Sequence, residues 1–130
     1  MPTNTILIDT HVLIWYLTKS PKLSDKALHA IENSVEPVCL STITLVELVY
    51  LIDRRKLVPE FMQRVLQQID DALFTLVPVD IHVVNALSKI PRNTVPDMPD
   101  RIIAATSAAL GISVVTCDSK IRSADIQTIW

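Results

Sequence analysis

Thr5-Ile6-Leu7-Ile8-Asp9-Thr10-His11-Val12-Leu13-Ile14-Trp15-Tyr16-Leu17 begins as an aliphatic run, meets an acid, and continues as an apolar segment of helix length. The run predicts a strand over Thr5–Ile8 and a short helix from about His11 to Leu17. The same grammar recurs along the chain. Pro37–Leu40 reads as a second strand, after which Ser41 or Thr42 caps a helix carrying Leu45, Glu47, Leu48 and Leu51. Phe74–Val77 is a third strand, and Asp80 caps a helix ending near Ile90. Ser113–Thr116 is a fourth, and Ile126–Trp130 a fifth at the edge. Between them fall a helix capped by Ser24 and running to about Asn33, one started by Pro59 and running to about Ala72, and one from Asp100 to Leu110. Gly111, the only glycine, stands where that last helix wants a left-handed residue, and Pro91–Pro99, with three prolines, is the longest loop. Strands alternating with helices in this way make a mainly parallel sheet of four to five strands.

At 130 residues and 49% hydrophobic, the chain predicts one compact domain, residues 1–130. Its net charge of −2 lacks the footprint of a strong duplex-DNA binder, although a cation at an acidic site would reverse the potential locally. No stretch is apolar enough to span a bilayer, and no basic segment followed by an apolar core opens the chain. The expectation is a soluble cytoplasmic protein with no membrane partner. Cys39 and Cys117 do not pair with each other or with the three histidines at zinc-like spacing. A single glycine also rules out the glycine-rich dinucleotide fingerprint and the P-loop, which need several.

What remains is a set of acids. Asp9 closes the first strand, Asp118 stands just past the fourth, and Glu47 and Asp100 lie on helices starting from the same edge of the sheet. Ligands of open α/β sheets gather outside the carboxyl ends of the strands. Asp97 lies three residues before Asp100 and faces the same site if the helix begins that early. Each acid has a plainer role available: Asp9 as a helix cap, Glu47 as a solvated helix residue, Asp100 as a charge favoured by the helix dipole, Asp118 as a turn former. Four converging by accident is the weaker explanation. Clustered carboxylates repel unless a hard cation neutralises them, and oxygen-only donors suit Mg²⁺ or Mn²⁺.

The segments Ile6-Leu-Ile-Asp9-Thr10-His11-Val-Leu-Ile-Trp15, Thr42-Ile-Thr-Leu-Val-Glu47-Leu, Asp97-Met-Pro-Asp100-Arg101-Ile-Ile-Ala-Ala and Val115-Thr116-Cys-Asp118 resemble, in order and over essentially the whole chain, the motifs of the PIN domain. Within that superfamily they look most like the VapC-type toxins of toxin–antitoxin systems. The resemblance implies a three-layer α/β/α sandwich and a Mg²⁺- or Mn²⁺-dependent endoribonuclease leaving 5′-phosphate and 3′-hydroxyl ends. It gives Asp9, Glu47, Asp100 and Asp118 the catalytic roles, and Asp9, Asp97, Asp100 and Asp118 the metal. It also gives Thr10 and Thr116 accessory hydroxyl positions. It further implies an RNA substrate, a cognate antitoxin, a homodimer, and contact with DNA only through the antitoxin. The histidine that many relatives carry before the Asp-x-x-Asp segment is replaced by Val95-Pro96, so loop contacts to substrate do not carry over.

Two other classes compete. An aspartate-based phosphatase would carry a second acid at residue 11, which is His, and a phosphoreceiver would show paired acids ahead of its phosphorylated Asp. A catalytically silent PIN-like interaction domain would not need an acid at every motif position. Arg101 is balanced between phosphate and carboxylate pairing. Lys120 and Arg122 are well placed for phosphate. His11 reads as a residue flanking a helix start, and Trp15 and Tyr50 as core or interface. The apolar crowding at Val12, Leu13, Trp15, Tyr16 and Leu17, and at Leu45, Val49, Tyr50 and Ile52, exceeds what one core face can take and predicts an interface.

Overall fold

The computed structural model describes residues 5–130; the first four residues of the expected domain lie outside that range. Five strands, β1 (Ile6–Ile8), β2 (Val38–Ser41), β3 (Phe74–Val77), β4 (Ser113–Val115) and β5 (Thr128–Ile129), form one sheet in the order β3-β2-β1-β4-β5. Every pairing is parallel, with Leu7 opposite both Cys39 and Val114. β1 is central because all three of its side chains are apolar and buried, and a strand covered on both faces must be so.

The period of two along the strands sorts the core. Leu7, Cys39 and Val114 face one layer, with Val83, Ile90, Ile103 and Ile121. Ile6, Ile8, Val38, Leu40, Phe74 and Val115 face the other, with Val12, Leu13, Ile31, Leu48 and Val65. The second layer belongs to the helices crossing from β1 to β3: α1 (Thr10–Leu17), α2 (Asp25–Glu32), α3 (Thr42–Asp53) and α4 (Glu60–Asp70). The first belongs mainly to those crossing back to β4 and β5: α5 (Ile81–Ala86), α6 (Met98–Leu110) and α7 (Ser119–Arg122). The result is the three-layer sandwich. The chain leaves β1 in one direction and returns on its other side, so the switch point lies between β1 and β4.

Several boundaries differ from the sequence reading, each for a local reason. α6 starts at Met98 because the Asp97 side chain caps it, accepting from the Asp100 N–H at 3.1 Å, and Pro99 fits in its first turn. The helix after Asp80 tightens into a 3₁₀ turn over Leu87–Lys89. α7 was not expected; at four residues it is too short to show a period, and Asp118 starts it by accepting from two backbone N–H groups. β5 shrinks to two residues. Gly111 does end α6 in the left-handed region, at φ 66°. Cys39 and Cys117 are both free thiols, Cys39 in β2 and Cys117 past the end of β4, on opposite sides of β1. Among the described residues no helix is long and apolar enough to cross a membrane.

Candidate active site

Four of the strand-to-helix junctions carry an oxygen that caps the helix beginning there. Asp9 caps α1, Ser41 α3, Asp80 α5 and Asp118 α7. The plainer role of Asp9 and Asp118 is therefore real, and it is also what fixes them: capping pins each carboxylate at the carboxyl end of a strand flanking the switch point. Asp9 is only 5% exposed, with Oδ1 accepting from the Val12 N–H at 2.8 Å and Oδ2 from the Thr116 hydroxyl. Thr116 also accepts from the Asp118 N–H at 3.0 Å, so one buried hydroxyl ties the end of β1 to the start of α7.

Glu47 projects from the second turn of α3, half-buried. The Thr10 hydroxyl donates to its Oε1 at 2.5 Å and lies 3.1 Å from the Thr44 hydroxyl. Thr10 and Thr116 thus orient carboxylates directly. Thr44 escaped the sequence reading; its one signal is its place three residues before Glu47, on the same helix face.

The clearest evidence that these acids share a site is electrostatic. Burial, then Asp97, Asp118, Glu47 and Asp9 in turn, push the Asp100 carboxyl up from 3.8 to about 7. Burial raises Asp9, against the Thr116 and Val12 hydrogen bonds and His11, with Asp118 raising it further. Burial likewise raises Glu47, opposed by Thr10 and His11 and reinforced by Asp97 and Asp9. Asp100 thus feels each of the other four acids. Among the described residues, however, no three His, Cys, Asp or Glu side chains stand together as a ready metal-binding group. Asp9, Asp97, Asp100 and Asp118 are brought into one site but not into one coordination sphere. Three of them are held by their capping bonds, and Asp97 is exposed.

Arg101 takes neither of its expected roles. Its Nε donates to the Ile90 carbonyl at 2.7 Å and its Nη2 to the Leu87 carbonyl at 2.9 Å, which fastens the 3₁₀ turn onto α6. Lys120 and Arg122 are exposed on α7 beside Asp118. A row of rings, His11, Trp15 and Trp130, also stands near the acids; Trp130 is remote in sequence, and no motif marks it.

A parallel sheet that splits at β1, with carboxylates gathered outside the split, defines an α/β domain with a candidate acidic site at that edge. The PIN domain family model matches residues 6–127, and the chain belongs to that family. It is 30% identical over 122 residues to Ribonuclease VapC22 of Mycobacterium tuberculosis, covering 92% of this chain and 91% of that relative. Its fold is similar to that of the DNA-bound VapBC of Salmonella typhimurium, with a TM-score of 0.73, 20% identity, and coverage of 95% of this chain and 96% of that one. A toxin–antitoxin complex from Klebsiella pneumoniae superposes at a TM-score of 0.71, with 18% identity and 96% of both chains covered.

Proposed function

We propose that this chain, as one PIN unit, is a metal-dependent endoribonuclease, the toxin of a toxin–antitoxin pair. The observation that carries the reading is the Asp100 carboxyl, pushed up to about 7 by burial first and then by four neighbouring acids. A site that concentrates negative charge at this cost in burial suits a hard divalent cation and the phosphate it would bring. The donor set fits Mg²⁺ or Mn²⁺. It is oxygen throughout, and each capping carboxylate oxygen keeps a lone pair beyond its hydrogen bonds or has a second oxygen available. Asp9, Asp100 and Asp118 would hold the ion, with Asp97 at the rim. When bound, the ion supplies an activated water and neutralises charge on the scissile phosphate.

The remaining work falls to the chain. Thr116 fixes the Asp9 carboxylate, and Thr10 fixes Glu47. Glu47, pushed up by burial, is suited to accept the proton of the attacking water. Water adds to phosphorus and the 3′-oxygen leaves, giving 5′-phosphate and 3′-hydroxyl ends. Lys120 and Arg122 offer cations to the flanking phosphates.

The antitoxin reading is supported by the relatives above and by a groove of about 470 Å³ between α1, α2 and α4, lined by Trp15, Tyr16, Leu17, Leu23, Leu28 and Arg64 among others. DNA would be reached only through that partner. The homodimer reading is supported by exposed Val46, Val49 and Tyr50 on α3 and Ile81 and Val84 on α5. Val12 and Leu13, by contrast, are fully buried in the core and contribute nothing to an interface.

The test is incubation of purified protein with total RNA in Mg²⁺ or Mn²⁺, then with EDTA, beside Asp9→Asn. Cleavage that stops with EDTA and in the variant is expected; cleavage indifferent to both overturns the assignment. In cells, expression should arrest growth and a small co-expressed neighbouring gene product should restore it. Harmless expression of active protein would overturn the toxin role.

A further inference from the structure

Across the carboxyl edge of the sheet, Asp9 ends β1, Asp118 follows β4, and Trp130 follows β5. Neighbouring strands are about 4.8 Å apart, so Trp130 lies roughly 10 Å along that edge from Asp9. α1 starts from Asp9 and carries His11 and Trp15 on one face, four residues apart. The Trp15 ring is 5.9 Å from both the His11 and Trp130 rings, tilted about 50° to each. The three rings form a continuous row beginning two residues from Asp9. His11 is exposed, and both tryptophans are only half-buried, although Trp is usually among the more deeply covered residues. His11, at the head of that row, is accessible from solvent.

We propose that His11, Trp15 and Trp130 form a stacking platform for a nucleobase of single-stranded RNA beside the scissile phosphate. The inference rests on the ribonuclease reading and says how that site holds its substrate. A chain of net charge −2 with five acids at its site gains little long-range attraction for RNA. Stacking on aromatic rings is indifferent to that charge and tolerant of base identity. His11 stands in the first turn of α1, two residues past Asp9, so its ring begins beside the acidic edge. The platform and the carboxylates are thus neighbours on one edge, base on one side and phosphate on the other.

Two measurements test this. Steady-state cleavage of a single-stranded RNA oligonucleotide should show KM raised about tenfold by His11→Ala with kcat within about twofold, and His11→Phe should restore KM because a flat ring suffices. Trp15 and Trp130 are the chain's only tryptophans, so tryptophan emission, excited selectively over the two tyrosines, reports on the platform. In Asp100→Asn protein with Mg²⁺, the oligonucleotide should quench that emission, and an abasic ribose-phosphate oligonucleotide should not. His11 is exposed, so thermal melting of His11→Ala should match wild type. An unchanged KM in His11→Ala overturns the proposal, as does a raised KM that His11→Phe leaves raised. Normal RNA cleavage by His11→Ala with lost neutralisation by the partner protein would assign the rings to that partner and also overturn it. If wild type cuts no RNA, the ribonuclease reading has failed on its own; quenching by the intact oligonucleotide then still decides the platform.

Discussion

Asp100 holds its proton to about pH 7 because its surroundings are both buried and acidic. Its carboxyl moves from 3.8 when solvated to about 7 when folded, so the folded chain binds that proton more tightly. The stabilising contribution is complete below 3.8 and is lost as pH rises through 7. Burial moves Asp9 and Glu47 in the same direction. In EDTA, the melting temperature should therefore fall between about pH 5 and about pH 8, and Asp100→Asn should flatten that fall. A wild-type melting temperature that rises over this range would contradict the shifts. Metal ligands must be deprotonated, so added Mn²⁺ should stabilise wild type more at about pH 8 than at about pH 5.5. Asp9, Glu47, Asp100 and Asp118 could be picked out from the sequence because motif spacing and strand ends are local. Thr44 and Trp130 could not, since what makes them relevant is a neighbour 34 residues away for Thr44 and the packing of β5 against the rest of the sheet for Trp130.

At the scale of elements, capping and site-building coincide, and the two can be separated by substitution. Asp97→Asn keeps a good cap while losing a charge, so it should leave melting almost unchanged. Asp97→Ala should cost about 1 kcal/mol through the lost bond to the α6 N-terminus. If both melt alike, Asp97 does not cap α6 in solution. Gly111→Ala meets no atom within 4 Å, so its whole cost is the left-handed backbone at φ 66°, about 1 kcal/mol or roughly 4 °C of melting temperature. An unchanged melting temperature would mean that α6 ends differently. The strands were legible as short aliphatic runs, and the long helices as capped segments of helix length. α7, the 3₁₀ turn and the early start of α6 were not, because elements this short are decided by single side-chain bonds. Arg101 belongs with them: its role depends on two carbonyls exposed only once the 3₁₀ turn has formed.

For the whole molecule, the strand order separates the two thiols across β1, with Cys39 buried and Cys117 half-buried. A thiol reagent should find one reactive cysteine in the native protein and two in denaturant; an intramolecular bridge would contradict the order. The exposed apolar side chains on α3 and α5 predict a dimer at micromolar concentration by light scattering, which Val49→Lys should weaken. A wild-type monomer would refute that. The sandwich itself was readable from alternating strands and helices, whereas which helix face stays uncovered was not: Val12 and Leu13 look as interfacial in sequence as Val49, and only packing tells them apart. The central claim is that the acids outside the β1–β4 split cleave RNA. Its most direct test is single-turnover cleavage of an RNA oligonucleotide by wild type and Asp100→Asn in Mn²⁺, with folding checked by circular dichroism. The account predicts a loss on the order of a hundredfold in a folded variant that melts no lower than wild type. A folded Asp100→Asn protein cutting at the wild-type rate would contradict it.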